Sequence, residues 1–283
     1  MFPTDLGIQP VEVAREAEAR GFDSLWFPEH SHIPVSRRTP WGGIEGAPPL
    51  PAEYWRTHDQ FIALTAAAVV TSTLRLGTGI TLVAQRDPVW LAKEVASLDV
   101  ISGGRLQFGI GYGWNHEEME SHGVDIGHRR ALVREKILAC KALWTQDEAS
   151  FHGEYVNFEP SWAWPKPLQF PNPPIYVGCS PSDLHFRHII EYADVWMPIE
   201  GRWPIDEAWL KLQQMAEAAG RDPASLQLGI YAAKPDAANL ARVRDVGATS
   251  ALLLLPPLDR DEALAKMDSY APLVEEFNSA ATT

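Results

Sequence analysis

Apolar positions follow two rhythms along this chain. Short runs at 23–29, 74–82, 106–113, 175–180, 194–199, 226–233 and 250–256 place apolar residues on consecutive positions. That is expected of parallel strands buried on both faces. Between them lie amphipathic stretches at 10–20, 58–71, 88–100, 129–145, 182–192, 205–219, 237–246 and 261–277. Asp87 is placed to cap the helix that Pro88 opens, and Gly21 and Gly220 stand where helices end. Seven strands and eight helices fall one strand short of eight βα units. The missing strand belongs ahead of Pro10, where only residues 1–8 are available, so the first strand is expected to be short or partly missing. An open doubly wound sheet fits less well, because eight units would make it very wide and no dinucleotide fingerprint is present. The pattern predicts an α/β fold, a (β/α)8 TIM barrel with insertion loops, as a single domain over 1–283.

Two connections are too long for the scaffold. Residues 31–57, rich in Pro and Gly, follow the run 23–29 at the C-terminal end of a strand, where barrel enzymes build their sites. Within it Trp41, Tyr54, Trp55 and Arg56 are candidates to cover a substrate, with simple packing as the competing reading. Residues 146–174 carry Trp162, Trp164 and six Pro, and they lead into a strand. That second connection is expected on the opposite face unless it folds back.

Charge narrows the function. With 24 Lys and Arg against 37 Asp and Glu, the net charge is −13. This argues against a nucleic-acid backbone or an anionic membrane surface as partner. Apolar residues at 46% and charged residues at 22% suit a folded globular chain. Cys140 and Cys179 are the two cysteines, too few for a disulfide framework or a cysteine zinc site. No signal peptide is visible in the first residues, and no apolar run approaches the ~20 residues of a membrane helix. A cytoplasmic protein acting on a small molecule is the expectation.

Four segments carry candidate chemistry. Gly77-Thr78-Gly79-Ile80-Thr81 ends the run 74–82, and paired glycines inside a strand point to a bulge or close backbone approach. A bend with no ligand is the competing reading. Gly109-Ile110-Gly111-Tyr112-Gly113 ends the run 106–113 and departs from the dinucleotide motif at Trp114. Its small residues would let a flat ring or a phosphate approach the backbone. Gly178-Cys179-Ser180-Pro181-Ser182 leads straight into a helix, whose free N–H groups and dipole suit a phosphate. A serine that merely caps the helix is the bland alternative. Glu29-His30-Ser31-His32 ends the run 23–29, where His30 suits proton transfer near neutral pH. His-x-His also occurs in metal hydrolases, but the further ligands are missing: the later strands end in Cys179, Pro198 and Pro256-Pro257. No metal is therefore expected. Glu117, Glu118 and Glu120 read as a solvated helical turn. His58, His122, His128, His152, His185 and His188 read as surface or packing residues, and Cys140 as core.

Together these residues resemble the bacterial-luciferase-like superfamily of flavin- or deazaflavin-dependent oxidoreductases. The most specific stretch runs from Leu91-Ala92-Lys93-Glu94 through Leu98-Asp99-Val100-Ile101-Ser102-Gly103-Gly104-Arg105-Leu106 into Gly109-Ile110-Gly111. Ala19 to Trp26 with Glu29-His30, Leu76 to Ile80, and Ile175 to Gly178 are similar to other strands of that family. The resemblance implies a phosphate-bearing tricyclic ring on the C-terminal face. Gly79, Ile80 and Thr81 would back the ring, the bulge often holding a non-prolyl cis peptide. Gly111, Tyr112, Gly113 and Trp114 would line it, and Gly178, Cys179, Ser180 and Ser182 would cradle its phosphate.

The Glu29-His30 pair is similar to the acidic residue–His pair of the deazaflavin branch, so the resemblance implies coenzyme F-420, with FMN as the alternative. His30 is then the candidate acid/base and Glu29 the group that orients it. Trp114 stands where the deazaflavin sugar-phosphate dehydrogenases carry a catalytic Glu, which argues against that activity. The expected protein is an oxidoreductase transferring a hydride between F-420 and a small organic substrate. An FMN-dependent monooxygenase and a non-catalytic flavin-binding protein are the alternatives. The family also implies a homodimer.

Overall fold

The computed structural model describes residues 2–279. In chain order the elements are α1 (Pro10–Ala19), β1 (Ser24–Phe27), α2 (Glu53–Arg56), α3 (Gln60–Ala68), β2 (Arg75–Thr78), β3 (Thr81–Leu82), α4 (Pro88–Ser102), β4 (Leu106–Gly111), α5 (His116–Ser121) and α6 (Arg129–Thr145). They continue with β5 (Ala149–His152), β6 (Asn157–Ser161), β7 (Ile175–Gly178), α7 (Asp183–Tyr192), β8 (Val195–Trp196), α8 (Ile205–Ala218), β9 (Gln227–Tyr231), α9 (Ala237–Asp245), β10 (Ala248–Leu252) and α10 (Arg260–Ser279).

Strands pair in parallel in the order β1-β2-β4-β7-β8-β9-β10, with β3 continuing the line of β2 against β4. Seven staves thus match the seven apolar runs, and the curled sheet with its outer helices is TIM-barrel-like. No barrel strand forms ahead of α1 among the described residues; Thr4 makes only an isolated bridge to Thr57. β1 and β10 are therefore not joined by a ladder. A cavity of about 130 Å³ lies at that seam, lined by Leu25 and Trp26 of β1, Ser250 and Leu252 of β10, Val13 of α1 and Tyr270 of α10.

Local signals operate as the residues dictate. Asp87 accepts from the N–H groups of Val89 (3.0 Å) and Trp90 (2.9 Å), and Pro88 opens α4. Gly103 then ends it at φ +72°. Inside the barrel, Trp26, Tyr176, Val195, Met197 and Leu252 form a compact cluster. The indole of Trp26 occupies the space a Cβ at 77 would need, 2.0 Å away, so glycine is the residue that fits there.

Several expected boundaries move. The run 74–82 splits into β2 and β3 around a cis peptide at Gly79–Ile80. The last strand begins at Ala248 rather than 250 and ends at Leu252, earlier than expected. The 146–174 connection contains the antiparallel hairpin β5–β6. It stays at the N-terminal end of the barrel: Gln169 donates to Asp99 Oδ1 (2.7 Å) and to the Leu106 carbonyl (2.8 Å) where β4 starts. Among the described residues no helix is long and apolar enough to cross a membrane.

Candidate active site

A cavity of about 570 Å³ opens at the C-terminal ends of the strands. Its floor is the strand bulge: Gly79, Ile80 and Leu82 line it, together with Gly178 and Cys179 from the tip of β7. The glycines of β4 have another purpose than close approach of a ligand. A Cβ at 109 would lie 2.0 Å from the Thr78 carbonyl oxygen, and one at 111 would lie 1.8 Å from Ile80 Cδ1. Both positions are small because the bulge presses into β4, and Ile80 is thereby pushed toward the cavity. Gly111 and Thr81 do not line it. Thr81 is buried with its hydroxyl 3.3 Å from Gln60 Oε1. These two predicted contacts are corrected to supports of the floor.

At one end stands His30. Its Nδ1 lies 2.6 Å from Glu118 Oε2, with side chains only 5% and 0% exposed, and Glu118 Oε1 accepts from the Ser31 N–H at 3.1 Å. The carboxylate holds the proton on Nδ1, which leaves Nε2 as the nitrogen free for chemistry. Glu29 does not orient His30, contrary to expectation. Its Oε2 accepts from the Leu82 N–H (2.6 Å) and its Oε1 from Arg86 Nε (2.6 Å), so it bolts the end of β1 to the bulge. Arg86 in turn meets Glu94 (2.8 Å) and Asp59 (3.1 Å). Nor is the 117–120 turn merely solvated. Burial raises the Glu117 carboxyl, but bonds from the Thr39 hydroxyl and the Arg38 and Thr39 N–H groups outweigh it and pull it down to about 2. Glu117 thus pins the long loop while Glu118 reaches His30.

Aromatic rings surround His30. Tyr54 lies 5.1 Å from it between ring centroids, Trp114 5.7 Å, and Trp41 stacks edge-on against Tyr54 at 5.9 Å. Trp41, Tyr54 and Trp114 all line the cavity. Trp55 and Arg56 do not: Trp55 points outward, and Arg56 makes a two-pronged ion pair with Asp5 at 2.9 and 3.0 Å. His32 also turns away, its Nε2 2.7 Å from Ser121 Oγ on the exposed surface, so it does not converge with His30.

The opposite end is cationic. Arg129 and Arg130 occupy the first turn of α6 and line the cavity beside Ser180 and His185. Neither forms an ion pair with an acid among the described residues, and Arg129 Nε is buried without a partner. Two positive charges at the positive end of a helix dipole repel it unless an anion sits between them. Arg130 donates to His185 Nε2 (3.3 Å), which puts the His185 proton on Nδ1, donated to the Ser180 carbonyl (3.0 Å). Ser182 does not line the cavity; its hydroxyl caps α7 by accepting from the His185 N–H (3.3 Å). Tyr112 turns inward, stacked on His185 at 4.7 Å, its hydroxyl 2.9 Å from His188 Nδ1 and 3.1 Å from Tyr192. Burial lowers His188 to about 4 and raises the Tyr112 hydroxyl and the Cys179 thiol, so none of these carries a charge near neutrality.

Of the predicted site residues, Glu29, His30, Gly79, Ile80, Tyr112, Gly113, Trp114, Gly178, Cys179 and Ser180 converge on the cavity. Glu118, Arg129, Arg130 and His185 are the residues the linear reading missed. Arg129-Arg130 had one readable signal, a basic pair at a helix start.

The uncompensated arginine pair, the apolar shelf at Gly79–Ile80 and His30 at the far end together fit a flat ring carrying a phosphate. The family described as luciferase-like monooxygenase matches residues 9–245. An uncharacterized protein of Mycobacterium tuberculosis is 42% identical over 273 residues, 96% of this chain and 95% of that protein. The F-420-dependent hydroxymycolic acid dehydrogenase of the same organism is 30% identical over 243 residues, 82% of this chain and 61% of its own length. Flavin-dependent monooxygenases also occur among the relatives. In fold, the chain is similar to a monooxygenase from Streptomyces bottropensis, with a TM-score of 0.77, 20% identity, and 93% of this chain and 91% of that one covered.

Proposed function

This chain belongs to the luciferase-like monooxygenase family, a family of oxidoreductases, and we propose that it transfers a hydride between coenzyme F-420 and a small organic substrate. The observation that carries this reading is the buried His30–Glu118 pair beside the apolar shelf, a proton-handling group where a ring edge would lie. Bound there, the coenzyme supplies the hydride acceptor or donor, and the protein supplies everything else. Arg129 and Arg130 bind the phosphate. Gly79 and Ile80 back the ring, while Trp41, Tyr54 and Trp114 exclude water from the space above it. When a substrate alcohol gives up its C–H hydride, His30 Nε2 takes the hydroxyl proton, and the product is a carbonyl; in the reverse direction it returns that proton. Glu118 holds the ring in the tautomer this requires and stabilises the imidazolium that forms. Trp114 brings no proton to the site, so His30 acts alone.

FMN is the second reading, favoured by one observation: a pair of arginines suits the dianion of a phosphomonoester. Side-by-side titration with F-420 and FMN tests both. Tighter binding of F-420 supports the first reading, tighter binding of FMN moves the assignment to the second, and binding of neither removes both. A homodimer is part of the proposal, supported by Ile62 of α3, Val69 just past its end and Trp90 of α4, which stand exposed on neighbouring elements. Sedimentation velocity checks it, and a monomer at micromolar concentration would remove it.

A further inference from the structure

The cavity has a second cationic feature, remote in sequence from the first. Arg202, on the loop between β8 and α8, lines it together with Ile199 and Trp203. The acids nearest it in sequence are turned elsewhere: Glu200 Oε1 accepts from Arg242 at 2.7 Å, and Asp206 lies 3.6 Å from the same guanidinium. The Arg202 guanidinium makes no hydrogen bond or ion pair with another described residue. It rests instead against the turn at Trp41–Gly43, where a Cβ on Gly42 would come within 3.3 Å of one of its nitrogens. Gly42 has φ +63°, so a side chain there would be strained as well as close. The charge is near enough to act on the Tyr54 hydroxyl, and Tyr54 in turn packs on Trp41, Trp114 and His30.

Among the described residues the only acid lining the cavity is Glu29, already held by Arg86, and the carboxylate behind His30 is fully buried. In a chain of net charge −13, an aromatic chamber with an unpaired guanidinium at its rim selects for negative charge. We propose that Arg202 anchors the carboxylate of the substrate, so that the substrate class is an apolar organic acid whose reacting carbon is separated from its carboxylate by an aromatic or aliphatic body. The body lies on Trp41 and Tyr54 and delivers the reacting carbon toward His30. This deepens the reading of the site as a coenzyme-and-substrate chamber and rests on it.

The test is calorimetric titration of the coenzyme-loaded protein with two matched pairs, phenylacetate against phenylacetamide and octanoate against octanamide. The expected result is that at least one acid binds more tightly than its neutral amide by roughly tenfold or more. Arg202→Gln brings that acid down to the level of its amide without changing coenzyme affinity. Arg202→Glu makes the protein prefer phenethylamine. Equal binding of acid and amide by the wild type overturns the proposal, as does absence of binding by both pairs. So does discrimination that survives Arg202→Gln or is lost instead in Arg130→Gln. If neither coenzyme loads, the function reading fails by itself, and the same titrations on the unloaded protein still decide the role of Arg202.

Discussion

Glu118 reaches His30 across 88 positions of sequence to place a carboxylate oxygen 2.6 Å from Nδ1, while Glu29, the immediate neighbour of His30, is turned to Arg86. The two carboxylates are not equivalent, because Glu118 meets the imidazole whereas Glu29 meets a guanidinium and the Leu82 N–H. The two acids therefore do different work, and their variants separate.

Glu118→Gln removes the charge that supports a protonated His30 and keeps the shape. Turnover is expected to fall by about 10²-fold or more, with coenzyme affinity nearly unchanged. Glu29→Gln removes the charge facing Arg86 and leaves one acceptor oxygen for two donors, Arg86 and the Leu82 N–H, and is expected to cost roughly 1–3 kcal/mol of stability, since Glu94 and Asp59 still partner the arginine. Steady-state kinetics paired with urea denaturation separates them. Equal kinetic losses in both variants would return Glu29 to the catalytic pair.

The arginine pair makes a charge prediction. Arg129→Gln and Arg130→Gln should each weaken binding of the phosphorylated coenzyme by roughly tenfold, with a reduced salt dependence. Binding of the same ring without its phosphate should be unaffected. Loss of affinity for both forms would mean that these residues shape the wall and do not hold the anion.

Two glycines illustrate two costs. Gly109→Ala drives a Cβ into the Thr78 backbone carbonyl, which cannot swing aside as a side chain would, and is expected to cost about 3 kcal/mol or more. Gly21→Ala meets open space and pays only for φ +76°, roughly 1 kcal/mol. Thermal and urea melts of the two variants check the order, and an unperturbed Gly109→Ala protein would contradict the described packing of the bulge.

Acid should destabilise the fold early. Burial keeps His188 neutral in the folded protein down to about pH 4, against an ordinary value of 6.5, and His185 is lowered in the same sense. Between those values the unfolded chain binds protons that the folded chain does not, so stability is intact above pH 6.5 and declines as pH falls toward 4. Urea midpoints at pH 7 and pH 5 measure the decline, and His188→Gln should make it shallower. An identical slope in that variant would assign the acid sensitivity elsewhere.

The barrel itself was legible in the linear order of residues, because burial of a parallel strand on both faces writes consecutive apolar positions. Helix ends were legible too: Asp87, Pro88, Gly21 and Gly220 act through neighbours one to four positions away, as such signals must. The same locality placed His30 at a strand tip and pointed to a bulge or close approach within residues 77–81, while the resemblance to the family set it at Gly79–Ile80. Which acid would meet His30 was not legible, since Glu118 approaches it only because α5 folds back over the end of β1. Arg129, Arg130 and Arg202 likewise acquire meaning from the acids that fail to reach them, and that absence exists only in three dimensions. Local chemistry decided the scaffold, and the distances between its remote parts decided the site.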